Sequence, residues 1–278
     1  MFRTVHIVAK LNSEQDPKVR RVVEAVCQVA VKEGARMVDL DQVLPDTLIV
    51  AIGGDGTMLQ ALRLAAQFDA TAIGINMGKV GFLTDFEHGN DQDHLAQIKK
   101  QIASVINDTE PTMIDRRIVL WSSASDMFAG NEVSVSRAQS DSMISYKLLV
   151  GHAFAGVHKA NSILISTATG STAYSLSAGG ALIMPNLSVI QIVPVAPLTM
   201  TSRPIITDAR DTIRLSVWGG TIAVRHDGQT VSRGRQVYTE EKPYEIQIRP
   251  HITTAKILHL ASWNFFDVLS QKLGWIKK

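Results

Sequence analysis

The 278-residue chain lacks most features that mark a specialised class of protein. Its single cysteine, Cys27, excludes an intramolecular disulfide and a cysteine-based zinc site. Charge of one sign is missing too: 28 Lys and Arg against 26 Asp and Glu leave a formal net charge of +2. Such a chain has no global field for nucleic acid or an anionic membrane, so any anion must be held by a local site. No window approaches the roughly 18 uninterrupted apolar residues of a membrane span. The start, MFRTVHIVAKLNSEQ, has no signal-peptide pattern, and the expected compartment is the cytoplasm. There is no low-complexity linker, charge block or 20–50-residue repeat. Neither the P-loop pattern GxxxxGK[ST] nor GxGxxG occurs. The eight histidines form no metal-binding pattern. His88, His94, His152 and His158 read as solvated loop or strand residues, while His226, beside Asp227-Gly228, is a candidate ligand contact.

What is present is a core-forming composition, 45% hydrophobic and 19% charged. Residues 4–10 read as a strand and 16–33 as an amphipathic helix ended by Gly34, with Cys27 a packed core thiol on its apolar stripe. A short extended piece follows near Arg36–Leu40. Thr47–Ile52 is a continuous apolar run, as expected of a strand covered on both faces. Leu59, Leu62 and Ala66 then recur at helical spacing, and Thr71–Ile75 reads as another buried strand. This alternation predicts an α/β domain with an open, mostly parallel, Rossmann-like sheet. After about residue 115 the pattern changes to strand alternation: Val133 and Val135; Ile213, Leu215 and Val217; Tyr244, Ile246 and Ile248. Asp227-Gly228 is a hairpin signal. The second half is predicted as antiparallel β. Phe266, Leu269 and Leu273, within Trp263–Trp275, predict a closing helix that packs on something already folded.

Two stretches carry chemistry. Gly53-Gly54-Asp55-Gly56-Thr57 sits where a buried strand hands over to a helix. Three glycines in four residues permit close backbone approach, and free N–H groups at a helix start attract phosphate. A carboxylate amid an anion site points to chemistry, since Asp55 is placed to hold a divalent cation or to accept a proton from an attacking hydroxyl. The plainer alternative is a tight turn with Asp55 as helix N-cap. The second stretch, Ser166 to Gly180, is crowded with small hydroxyl residues around glycines, suited to hydrogen-bonding a polar ligand, with Tyr174 able to pack on a base or ribose. Its plainer alternative is a capping loop.

Together these stretches resemble the NAD kinases, in the family's order over most of the chain. GGDGT at 53–57 is followed by Gly74-Ile75-Asn76, Gly81-Phe82-Leu83-Thr84, Asn131-Glu132, TGSTAY at 169–174, SAGG at 177–180, Ser202-Arg203-Pro204-Ile205, Asp227-Gly228-Gln229 and Phe266–Trp275. The resemblance implies an α/β domain over 1–112, a β-rich nucleotide-binding domain over 113–254 and a C-terminal segment, 255–278, packing back on the first, with the active site in the cleft between domains. It implies transfer of a phosphoryl group from ATP or polyphosphate to the adenosine 2′-hydroxyl of NAD, a divalent metal (Mg or Mn), and a homodimer or homotetramer, with no nucleic-acid or membrane partner. Carried residue by residue, Asp55 is the base or metal-associated carboxylate, and Gly53, Gly54, Gly56 and Thr57 hold phosphate. Asn131 and Glu132 read adenine and ribose. Asn76, Phe82, Asn161, Thr169, Thr172, Ala173, Tyr174, Ser177 and Gln229 are further NAD contacts.

Two departures stand out. Asn161-Ser162 occupies the place of the family's Asp-Gly, losing a charge that the resemblance puts against the substrate, and Pro197-Leu198 replaces Pro-His. They keep open a non-catalytic or altered-specificity dinucleotide-binding relative. A lipid kinase sharing the GGDG turn is disfavoured by TGSTAY, by SAGG and by the lack of a membrane-facing segment.

Overall fold

The computed structural model describes residues 2–10, 16–78, 81–84, 86–87, 92–139, 142–234 and 236–274. His88 and Trp275 lie outside the described residues. The chain divides into two compact units, Met1–Arg116 with Thr254–Lys278 (unit 1) and Arg117–Thr253 (unit 2).

Unit 1 begins with β1 (Thr4–Ala9), α1 (Pro17–Lys32), β2 (Arg36–Met37), β3 (Thr47–Gly53), α2 (Asp55–Phe68), β4 (Thr71–Asn76), β5 (Phe86–Glu87), α3 (Gln92–Asn107) and β6 (Thr112–Arg117). α1 starts where the Asp16 carboxylate accepts the Lys18 N–H at 2.9 Å and Pro17 presets the first turn. It ends at Gly34, whose φ of +81° suits glycine. The helix buries Val19, Val22, Ala25, Val26, Val29 and Ala30, whereas Cys27 is half-buried at the stripe's edge, outside the core expected for it. All seven residues of β3 are buried, because the strand lies inside the sheet between β1 and β4, parallel to both.

Unit 2 comprises β7 (Leu120–Ser122), β8 (Ser125–Ala129), β9 (Glu132–Arg137), β10 (Ile144–Val150), β11 (Ala153–Thr167), α4 (Tyr174–Ser177), β12 (Val189–Pro197), β13 (Ile205–Asp208), β14 (Ile213–Trp218), β15 (Ile222–His226), β16 (Gln229–Arg233) and β17 (Tyr244–Pro250). Its strands run in the order β16-β15-β9-β11-β10-β14-β17-β7-β8, with β12 on β11 and β13 on β12, all antiparallel in the described pairings. The alternation seen in the sequence has a physical result. Val133, Val135, Ile163, Ile165, Ile213, Leu215, Val217, Ile246 and Ile248 share one apolar core. Residues such as Ser134 and Ser136 are left for the other face. Asp227 and Gly228, at φ +48° and +79°, turn β15 into β16 in a two-residue hairpin.

The chain then returns to unit 1 with β18 (Ala255–Leu260), parallel to β4, completing the order β2-β1-β3-β4-β18-β6 with β5 paired to β4. α5 (Phe265–Leu273) is capped by Asn264, which accepts the Phe266 N–H at 2.8 Å, and stops at Gly274. It buries Phe265, Val268 and Leu269, so its apolar face is displaced from the Phe266, Leu269, Leu273 set that spacing suggested; Phe266 is 54% exposed. Among the described residues, no helix is long and apolar enough to cross a membrane.

Candidate functional site

In unit 1 the sheet order places β2 on one side of β1 and β3 on the other, a reversal of direction at which open α/β sheets bind ligands, beyond the carboxyl ends of their strands. The glycine turn lies at that end of β3, and Asn76 lies beside it, because Gly53 and Asn76 are register partners. The glycines divide by role. A Cβ on Gly53 would collide with the buried Thr57 side chain, so this glycine lets the turn close on its own helix. Gly54 and Gly56 face open space, where a phosphate can approach backbone N–H groups that the first helical turn leaves unpaired.

Asp55 is the first residue of α2, with Gly54 at the cap position, so it is not the N-cap of the plainer reading. Its carboxylate instead accepts the backbone N–H of Phe82 at 3.1 Å and of Leu83 at 3.2 Å. Gly81 is required beside it, since a Cβ there would strike Asp55 Oδ1 and Thr84 Oγ1. Asp55 therefore ties the 81–84 turn to the glycine turn, and each of its oxygens keeps a second lone pair for a proton or a cation. Phe82 is half-buried, with Lys272 Nζ 5.4 Å from its ring centre. Among the described residues no group of three or more His, Cys, Asp or Glu is placed to hold a metal. A single carboxylate still fits magnesium, which is commonly bound by one or two carboxylates, water and substrate phosphates.

In unit 2, three segments distant in sequence meet at the backbone of residues 130–132. Asp227 accepts the N–H of Gly130 at 2.9 Å, of Asn131 at 2.7 Å and of Glu132 at 3.2 Å. From the other side, Thr167 donates its hydroxyl to Gly130 O at 2.7 Å and its N–H to Asn131 O at 2.9 Å. Gly170 packs against the same Asn131 carbonyl so closely that a Cβ there would clash with it. The Asn-Glu, TGSTAY and Asp-Gly stretches are thus one assembly, with Asn131-Glu132 at its centre.

Glu132 emerges into a cavity of about 400 Å3 whose walls include Ser134, Ser136, Arg137, Asn161, Ser162, Tyr174, Val195, Arg225 and Gly228. The volume lies in the range of small-molecule sites. Burial, and then the neighbouring Asp227 carboxylate, push the Glu132 carboxyl up to about 7, and its Oε2 has no hydrogen-bond partner among the described residues. A buried carboxyl oxygen without a hydrogen-bond donor is costly, and here it belongs to a residue of the cavity wall.

The hydroxyl-rich stretch behaves differently from expectation. Ser166, Thr167, Ser171 and Ser175 are buried and bonded within the protein, Ser171 to Ile183 and Ser175 to Gln191. Their hydroxyls bond groups inside the protein, from Gly130 to Ile183 and Gln191, rather than being offered to a ligand. Thr169 is buried, accepting from Arg117 Nη1 at 3.1 Å, and Thr172 donates to Thr169 O. Tyr174 and Ser177 are exposed, and Ala173 is half-buried. Gln229 is exposed at the start of β16 and does not line the cavity. His226, a candidate ligand contact, is fully buried against Ser122 Oγ at 2.8 Å and Met127 O at 2.7 Å; strand alternation turns it inward. His158 is likewise spent internally, on Ser202 and Ala155. The cavity also holds Ser134, Ser136, Arg137 and Arg225, which no motif flagged; the alternation of β9 and the β15 register are the signals that place them.

A glycine turn with open backbone beside a carboxylate, and a polar cavity of small-molecule size, suit a nucleotide phosphotransferase. Known proteins give that class a family. Residues 39–109 match the ATP-NAD kinase N-terminal domain and residues 130–258 the ATP-NAD kinase C-terminal domain. An NAD kinase of Erwinia tasmaniensis is 34% identical over 232 residues, covering 83% of this chain and 77% of that protein. One from Escherichia coli is 34% identical over 239 residues with the same coverage. The crystal structure of an NAD kinase from Archaeoglobus fulgidus in complex with ATP has the same fold, with a TM-score of 0.74 at 23% identity over 99% of this chain and 100% of that one. So does yeast NADH kinase complexed with NADH, with a TM-score of 0.80 at 19% identity over all of this chain and 89% of that one. The chain belongs to the NAD kinase family, a family of phosphotransferases.

Proposed function

We propose that this chain transfers the terminal phosphoryl group of ATP to the adenosine 2′-hydroxyl of NAD, giving NADP. The observation that carries the reading is the Asn131-Glu132 assembly, which puts Glu132 in the wall of a nucleoside-sized cavity with one carboxyl oxygen lacking a hydrogen-bond partner among the described residues. A ribose hydroxyl is a donor of the kind that oxygen lacks. Asn131 can read an adenine edge with one donor and one acceptor, and Tyr174, half-exposed at the cavity, offers a ring face for stacking.

The 2′-hydroxyl is a weak nucleophile, and Asp55 is assigned the proton that leaves it. When bound, a divalent cation would neutralise phosphate charge, with Asp55 as its protein ligand. The backbone of Gly54 and Gly56 receives phosphate oxygens, while Gly53 and Thr57 shape the turn behind them. The 81–84 turn, held by Asp55, fixes that carboxylate's orientation so that little reorganisation is needed during transfer. A homodimer or homotetramer working in the cytoplasm completes the reading.

The test is purified protein with magnesium, NAD and either ATP or polyphosphate, NADP being followed by a coupled dehydrogenase. NADP formed with ATP is the expected result; tight NAD binding with neither donor used would leave a non-catalytic dinucleotide-binding relative. That second reading has one observation in its favour: Asn161 stands in the cavity wall where the family carries a carboxylate.

A further inference from the structure

Arg225 sits on β15 directly opposite Ser134 of β9, on the polar face of the sheet and in the wall of the Glu132 cavity. It is half-buried and donates from Nη1 to Ser136 Oγ at 2.7 Å, yet it forms no ion pair among the described residues. Arg137 enters the same wall, and its placement is built in. Its guanidinium lies across Gly220, where a Cβ would come within 2.8 Å of Nε. Gly220 has a φ of +146°, so both the backbone and the space behind it demand glycine. A hydroxyl is a poor answer to a half-desolvated guanidinium, whose fork of donors matches a carboxylate or phosphate. The carboxylate in this wall, Glu132, does not serve: it forms no ion pair, and its Oε2 no hydrogen bond, among the described residues. Two cations and two serine hydroxyls line the cavity, and among the described residues nothing anionic is paired to Arg225.

We propose that Arg225, supported by Arg137, Ser134 and Ser136, is an anion subsite of this cavity that takes phosphate oxygens of the bound dinucleotide. The proposal rests on the dinucleotide reading above, and it adds a residue class that neither the glycine turn nor the Asn131-Glu132 pair provides. Adenosine recognition and phosphate recognition are then separable within unit 2: Glu132 and Tyr174 meet the neutral nucleoside, and the arginines meet charge. The phosphate in question is either the pyrophosphate already present in NAD or the 2′-phosphate present only in the product.

The experiment is calorimetric titration of the full-length wild-type protein and of Arg225→Met with NAD, NADP, adenosine 2′-monophosphate and adenosine, the last in the millimolar range. Arg225→Met is expected to weaken NAD and NADP about tenfold or more, leave adenosine within about twofold, and flatten the dependence of Kd on salt. Arg225→Lys, which keeps the charge but loses the fork, is expected to recover part of the loss, so a fold defect is distinguished from a lost contact. Loss confined to NADP and adenosine 2′-monophosphate supports the subsite and assigns it to the product's phosphate. Unchanged Kd for all three phosphorylated ligands, or an equal loss for adenosine, overturns the proposal. NADP formation by the wild-type protein is scored separately: a kinase indifferent to Arg225 loses the subsite and keeps the function, and Arg225-dependent NAD binding without NADP formation does the reverse.

Discussion

The two units place their polar chemistry in opposite ways. In unit 1 the candidate site centres on five consecutive residues, tied by Asp55 to the 81–84 turn and shaped by the absence of side chains: Gly53 yields to Thr57, and Gly54 and Gly56 leave backbone open. In unit 2 the corresponding region is assembled from β9, β11, β15 and the turns between them, and each contributing residue is held by one far away in sequence. Asp227 reaches back 97 residues to Gly130, and Thr167 reaches back 37 to the same place. A local site of the first kind fails when one residue changes. A distributed one is expected to fail in graded steps, and mutations can break or sharpen that contrast.

The largest effect belongs to the local site. Asp55→Asn keeps the shape and one acceptor, but it removes the charge and turns an N–H donor toward one of the two amides at 82 and 83. Turnover is expected to fall by on the order of a hundredfold or more. Steady-state assay with the melting temperature measured in parallel checks this. A variant keeping more than about a third of wild-type kcat would reduce Asp55 to a turn anchor, and the contrast would vanish.

Next comes the hub of the distributed site. Asp227→Asn leaves three backbone amides with one good acceptor, so the Asn131-Glu132 backbone should shift without losing any residue that touches the ligand. KM for NAD is expected to rise about tenfold, corresponding to roughly 1–2 kcal/mol, with kcat changed less. Because Asp227 also helps raise the Glu132 carboxyl, any midpoint that Glu132 gives the pH profile should move down. An unchanged KM and profile would make Asp227 a hairpin residue only.

These two cases explain which features are legible in the sequence alone. The alternating and continuous apolar runs located β3, β4, β9, β14 and β17, because burial on one or both faces is a local property of the sequence. Asp227-Gly228 was legible as a turn, since φ above zero at both positions narrows the choice of residue. Its role as the carboxylate holding Asn131 was not, because a contact spanning 96 residues leaves no periodic trace. The same holds for Arg137 and Arg225. The opposite error comes from Ser166–Ser175, where hydroxyl-rich composition suggests ligand contact but the hydroxyls of Ser166, Ser171 and Ser175 are bonded inside the protein. His226 misleads for a similar reason: adjacency to a loop says nothing about which face of β15 a residue takes. Cys27 and Phe266 show that an apolar stripe is legible while its edges are not.

The third prediction concerns stability. Glu132 has a folded-state pKa raised from 4.5 to about 7. Above pH 4.5 the unfolded carboxyl ionises while the folded one still binds its proton, so stability falls as pH rises between these values and levels off above about 7. Glu132→Gln removes that penalty. The variant should match wild-type near pH 4.5 and be more stable at about pH 8, by up to about 3 kcal/mol, while binding NAD more weakly. Denaturant melts at the two pH values check it. Equal destabilisation at both would mean that Glu132 ties the fold together rather than serving the ligand at the fold's expense.

The smallest effect is expected at Asn161, where the distributed site departs from its relatives. Had the protein adapted to an amide there, neighbours would satisfy it; the side chain makes no hydrogen bond among the described residues, although it lines the cavity. Restoring a carboxylate has two opposing consequences. It adds a half-buried negative charge to the cavity wall, which costs free energy unless paired. It also restores a charge-assisted acceptor for the substrate, worth roughly 1 kcal/mol or more, in a wall that already holds Arg137 and Arg225. The two cations decide the balance, because they offset the first effect without touching the second. Asn161→Asp is therefore expected to raise kcat/KM for NAD several-fold. Parallel measurement with NAD and NADH sharpens the outcome: a rise for one alone would assign position 161 to the choice of redox state. A fall for both would mean that the cavity is tuned to the amide, and that the arginines answer to the ligand's phosphates and not to this residue.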